Sequence, residues 1–201
     1  MVQSLLPMRY PVETYSEEIE VKKSRFIGIG QYIDSTDEVK GIITALRKEH
    51  SGANHVVHAA IVGKNGDIVS YSDDKEPRNT AGRPVFEVVK GSNLTNILIC
   101  VIRYFGGTLL GTGGLVKAYT EAAQKVTQSI KSEELIETST IDFTISYDRY
   151  DKVMLFLKEY QKDIETQFLT QITISFTCES IHSSMIQQEL IQITSGDIIF
   201  L

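Results

Sequence analysis

Three groups of residues have types and spacings that could do chemistry. The first is RYFGGTLLGTGGLVKAY, residues 103–119, where Gly106, Gly107, Gly111, Gly113 and Gly114 fall within nine positions. Glycine reaches conformations closed to other residues and lets main-chain amides come close to another surface. Amides gathered at a helix N-terminus attract anions, so one reading is a phosphate or carboxylate site near Gly106, Gly107, Thr112, Gly113 and Gly114. A tightly packed strand-to-helix turn without a ligand is the other. Neither nucleotide fingerprint is complete: a P-loop needs lysine after Gly111, where Thr112 stands, and the dinucleotide motif needs glycine where Val116 stands.

The second group is SDDKEPRNTAGRP, residues 72–84, with carboxylates at Asp73, Asp74 and Glu76, cations at Arg78 and Arg83, and a hydroxyl at Thr80. Two adjacent carboxylates could hold Mg²⁺ with a substrate phosphate. Neighbours in an extended segment point apart, however, and Asp-, Pro- and Gly-rich stretches commonly build structural loops. The third group is His55 and His58. On the strand suggested for His55–Val62 their odd offset puts the imidazoles on opposite faces, and no nearby cysteine or carboxylate completes a zinc set. No nucleophile elbow, HExxH or Cys/His signature occurs. The expectation is no metal and no cofactor, with catalysis undecided.

Cations come next. Lys22, Lys23 and Arg25 form the only compact basic run, for which a solvated strand end is the plain account. Joined by Arg78, Arg83, Arg103 and Lys117, they could make one positive surface around the glycine segment, as RNA-backbone binding would use. The net charge is −6, and residues 138–201, with nine acidic and four basic side chains, carry −5 of it. Electrostatic attraction to nucleic acid is thereby excluded for the second half and left as a local patch in the first.

The elements that must position these groups are legible from periodicity. Glu18–Lys22 and Arg25–Ile33 read as strands. Residues 34–50 read as an amphipathic helix, with Ser35 and Glu38 spaced as a capping box and Val39, Ile42, Ile43 and Leu46 on one face. His55–Val62 and Ile68–Tyr71 flank an Asn65-Gly66 hairpin signal. A short helix is bracketed by Pro84 and Gly91. Ile97–Tyr104 is a continuous apolar run, hence a buried strand, and Leu115–Ile130 is the longest helix. After a polar break at residues 131–139 the order is strand, helix, strand, strand, helix, strand, the βαββαβ of a ferredoxin-like unit. Two domains are expected, 1–135 and 136–201. A hydrophobic fraction of 42%, no long apolar run, no leader-like N-terminus, and Cys100 and Cys178 inside apolar strands predict a soluble, cytoplasmic protein with free thiols and no membrane contact.

The segments KKSRFIG, SDDKEPRNTAGRP and VIRYFGGTLLGTGGLVKAY, in this order and spacing, resemble the IMPACT/YigZ family over about residues 15–130. The resemblance implies an α+β fold: an IMPACT-type domain like a ribosomal-protein domain and domain IV of elongation factor G, followed by a ferredoxin-like C-terminal domain. It also implies translation-linked regulation, by competition for a protein partner in eukaryotic relatives and by RNA or ribosome association in the bacterial branch. The family loop usually reads DDGEPSGTAG; here Lys75 replaces the first glycine and Arg78-Asn79 replace Ser-Gly. A lysine usual near Leu110 is missing, and Lys117 stands where arginine is usual. The leading expectation is a translation-linked regulator binding RNA, the ribosome or a translation-associated protein through a glycine-rich, partly basic cleft. The alternatives are a phosphate-ester or nucleotide enzyme built on the glycine segment with Asp73 and Asp74, or a pure protein-interaction module.

Overall fold

The computed structural model describes residues 7–160 and 163–201. Its contacts divide the chain between Leu135 and Ile136 into two units. In chain order the elements are β1 (Arg9–Pro11), β2 (Tyr15–Val21), β3 (Ser24–Tyr32), α1 (Val39–Glu49), β4 (His55–Val62), β5 (Ile68–Ser72), α2 (Gly82–Gly91), β6 (Ile97–Tyr104), α3 (Gly111–Ser129), β7 (Ser132–Glu134), β8 (Thr138–Ile145), α4 (Tyr150–Leu157), β9 (Ile164–Phe168), β10 (Ile172–Glu179), α5 (Ser180–Ile193) and β11 (Ile198–Phe200). The fold class is α+β, as expected.

The first unit is built on a five-stranded antiparallel sheet in the order β2-β3-β6-β4-β5. The apolar runs of β4 and β6 lie inside it because strands covered on both faces need side chains that are apolar in both directions. One face packs Phe26, Val57, Ile99 and Val101 against Val85 and Val89 of α2 and Tyr119, Ala122 and Val126 of α3. The other packs Val56, Leu98, Cys100 and Ile102 against Val39 and Leu46 of α1. Burial there pushes the Cys100 thiol up to about 12. Gly28 and Gly30 of β3 leave room for α3: a Cβ at Gly28 would sit 3.0 Å from the Ala122 carbonyl oxygen. The predicted capping box forms, Ser35 and Glu38 closing a 3₁₀ turn (Thr36–Glu38) that feeds α1.

The second unit has a four-stranded antiparallel sheet in the order β11-β8-β10-β9, the arrangement of a split βαβ unit. Strict alternation puts Ile141, Phe143, Ile145, Ile172, Ile174 and Phe176 into a core with Val153 and Leu157 of α4 and Ile186 and Leu190 of α5. The element order of this unit is the βαββαβ of the sequence reading.

Two differences matter. The polar break contains a strand, β7, which pairs with β1, a strand absent from the sequence reading. Both are three residues long and polar, and they are held by side chains: Arg9 Nε donates to Ser132 Oγ (3.0 Å) and the Tyr10 hydroxyl to Glu133 (3.1 Å). Periodicity cannot register so short a pair. The long helix also begins at Gly111 rather than Leu115, so Gly111, Gly113 and Gly114 belong to it. Low helix propensity disguised that turn.

Candidate functional site

Residues 72–84 and 103–119 meet. Glu76, Pro77, Arg103, Phe105, Leu109 and Thr112 all line one cavity of about 460 Å³. It lies at the end of the sheet where β4 begins and β6 finishes, so the sheet fixes its floor and the two segments form its walls.

At the floor, the Glu76 side chain is 4% exposed and Arg103 7%. Arg103 Nη1 donates to Glu76 Oε1 at 2.6 Å, and the Tyr119 hydroxyl donates to the same oxygen at 2.8 Å. Burial, then the Glu76 carboxylate, drive the Tyr119 phenol far above its ordinary value. The Arg103 guanidinium also lies over the rings of Phe26 (5.5 Å) and Phe105 (5.8 Å). His55 Nδ1 is 2.8 Å from the Asp74 carbonyl oxygen, which can only accept, so Nδ1 carries a proton. Its Nε2 is 3.7 Å from Glu76 Oε1. His58 lies on the other sheet face, 3.4 Å from Ser70 Oγ, and burial lowers its pKa. The odd-offset reading of the two histidines therefore describes the structure.

Asp73 and Asp74 are committed to the backbone. Asp73 accepts from the amides of Asn79 (2.8 Å), Ala81 (3.0 Å) and Gly82 (2.8 Å), closing the loop and capping α2. Asp74 accepts from the Val56 amide at 2.6 Å and pairs with Arg47. The two carboxylates diverge, so the shared-Mg²⁺ arrangement of the enzyme reading does not form. No group of three or more His, Cys, Asp or Glu among the described residues could hold a metal. Thr80 is buried, its hydroxyl turned to the Pro77 carbonyl.

The seven cations scatter in role. Arg103 is buried and neutralised. Arg25 makes a two-point contact with Glu18 (2.8 and 2.9 Å) and lies over Tyr104. Arg83 is 3.8 Å from Glu87 and lines a separate depression of about 810 Å³ between α2 and α3, away from the buried charges. Lys22 and Lys23 form a two-residue hairpin turn at φ 50° and 66°, exposed like Arg78 and Lys117.

The glycines divide likewise. Gly106 is demanded by close approach, since its Cβ would lie 2.0 Å from the Lys23 carbonyl carbon; Gly107 (φ 84°) and Gly111 (φ 71°) are demanded by conformation. Gly113 has open space around it and no positive φ. The contact that needs a bare backbone is thus with the Lys22–Lys23 turn, not with residues 72–84. Sequence reasoning missed Phe105 and Leu109, exposed at 45% and 84%. Their signal was available: bulky apolar residues in a loop, outside any core periodicity.

The two-unit α+β fold and these two convergent segments define a class of protein. The Impact N-terminal domain profile matches residues 22–127. An IMPACT family member of Haemophilus influenzae is 38% identical over 152 residues, 75% of this chain and 74% of its own. IMPACT family member YigZ of Escherichia coli is 37% identical over 128 residues, 63% of this chain and 62% of its own. A crystal structure of a hypothetical protein superposes with a TM-score of 0.70 at 26% identity, over 98% of each chain. The chain belongs to the IMPACT family. No helix among the described residues is long and apolar enough to cross a membrane.

Proposed function

We propose that this chain is a translation-linked regulatory protein that acts in the cytoplasm by binding a translation-associated protein, with the cleft between residues 72–84 and 103–119 as its contact surface. Family membership supports the link to translation, through the regulatory role the resemblance implies. The observation that favours a protein over RNA is the cleft's character: its arginine is internally neutralised at the floor, and its mouth presents Phe105 and Leu109 to solvent. RNA-backbone binding needs clustered free cations, and of the seven candidates three are buried or paired. Apolar anchors in a pocket are what a protein partner uses.

The test is binding to intact ribosomal subunits, translation factors and naked single-stranded RNA at two salt concentrations. The expected result is association with a protein-containing particle or factor, lost on Leu109→Ser, with no binding to naked RNA. Binding to naked RNA with a log–log salt slope of about −0.7 per phosphate contacted, unaffected by Leu109→Ser, would overturn it.

A further inference from the structure

The buried acid at the floor of the cleft is only half used. Both donors that reach Glu76, Arg103 Nη1 and the Tyr119 hydroxyl, go to Oε1, and Oε2 has no partner among the described residues. His55 does not supply one: its Nδ1 proton goes to the Asp74 carbonyl, which leaves a lone pair on Nε2 of the neutral ring. Glu76 lines the cavity although its side chain is only 4% exposed, so the free oxygen, which is not sealed off, opens on the cleft. A carboxylate oxygen only accepts, and buried polar atoms are normally paired. The cleft therefore calls for a donor from outside the chain.

Charge decides what kind of donor fits. The Arg103 guanidinium already sits on Glu76, 2.6 Å away. Exposed Lys23 packs against Gly106, next to Phe105, and exposed Arg78 follows Pro77 of the opposite wall. A cationic guest would meet like charge at the floor and at the borders, so the donor that fits is neutral. Pro77, Phe105, Leu109, Leu110 and Leu115 supply most of the remaining wall, with Phe105 and Leu109 open to solvent at the mouth. An apolar body with one neutral donor at its tip matches both features. Among protein side chains that is Trp, whose indole N–H only donates, or Tyr, whose hydroxyl can donate. At about 460 Å³ the cavity has the size of a small-ligand cleft.

We propose that the cleft is an anchor pocket for one aromatic, donor-bearing side chain of the partner. A Trp or Tyr ring lies against Phe105 and Leu109, and its N–H or O–H donates to Glu76 Oε2 at the floor. Single aromatic anchors of this kind carry much of the energy of protein interfaces. This rests on the reading above that the partner is a protein, and adds the residue type by which it is recognised.

Backbone-amide NMR of the full chain, titrated with indole and with indene, its counterpart without the N–H, tests the pocket without altering the protein. Indole is expected to shift the amides of Phe105, Leu110 and Thr112. Indene should bind about tenfold more weakly or worse, because it forfeits a hydrogen bond to a charged acceptor and leaves that acceptor unpaired. The neutral contact should keep its affinity from low to high salt. Peptides selected on the full chain from a random library should share one Trp or Tyr. Exchanging that Tyr for Phe, or that Trp for naphthylalanine, should again cost about tenfold or more, and Leu109→Ser should weaken the parent peptides. Equal binding of indole and indene, or no shift at the cleft, would overturn the proposal; so would enriched peptides rich in Arg or Lys and released by salt. Peptides that bind at the cleft without Trp or Tyr would remove the anchor and leave the partner a protein. Guanosine monophosphate or naked RNA occupying the cleft, with no peptide enriched, would remove both readings.

Discussion

Lys75 and Asn79 stand at φ 69° and 62°, in the left-handed region, at the two positions where the family pattern usually has glycine. The pattern and the geometry thus explain each other: glycine enters that region freely, whereas an L-residue pays about 1–2 kcal/mol. Asn tolerates it better than Lys. Lys75→Gly should therefore stabilise the first unit by about 1 kcal/mol, read as a higher urea midpoint; a fall would mean that the Lys75 side chain makes up for its backbone. Glu76 is a different case. Changing Glu76→Gln leaves the buried Arg103 charge without its counter-ion, and removal of one partner of a buried pair costs about 3–5 kcal/mol. A change below about 1 kcal/mol by denaturant titration would show that Arg103 finds solvent instead. At this scale the sequence exposed residue types but not their roles. Asp73 and Asp74 could be read as ligand carboxylates or as parts of a structural loop, and they hold backbone amides, a role that leaves no periodicity in the sequence. Arg103 looked like a surface cation although it follows six apolar residues in β6, and that setting was the available sign of burial.

At the scale of elements, the long periodic segments were legible because burial on one or two faces imposes a repeat: β4, β6, α1 and the βαββαβ order follow from it. What escaped was the pairing of β1 with β7, held by side chains over three residues, and the true start of α3, hidden by glycines. Those glycines give a contrast that measurement can resolve. Gly106→Ala would drive a Cβ into the Lys23 carbonyl and should cost at least about 1–3 kcal/mol, the range for overpacking. Gly113→Ala enters open helix surface and should gain up to about 1 kcal/mol from propensity alone. Thermal melts of the pair should move in opposite directions; equal losses would mean that Gly113 is held by packing.

For the whole molecule, the division between Leu135 and Ile136 leaves each unit its own apolar core. A fragment ending at Leu135 keeps the β1–β7 pair and should unfold in one cooperative transition; an aggregated or molten fragment beside a stable full chain would show that the units depend on each other. The same fragment should retain all binding through the cleft, because every lining residue lies within it. The most direct test of the central claim is a photo-crosslinking benzophenone side chain placed at Leu109, 84% exposed at the cleft mouth. Irradiated in a translating extract from the source cells, the chain is predicted to attach to a defined protein of the translation machinery, with the crosslink lost in Phe105→Ser. Attachment to RNA alone, or to no translation protein while a benzophenone on the second unit captures one, would contradict it.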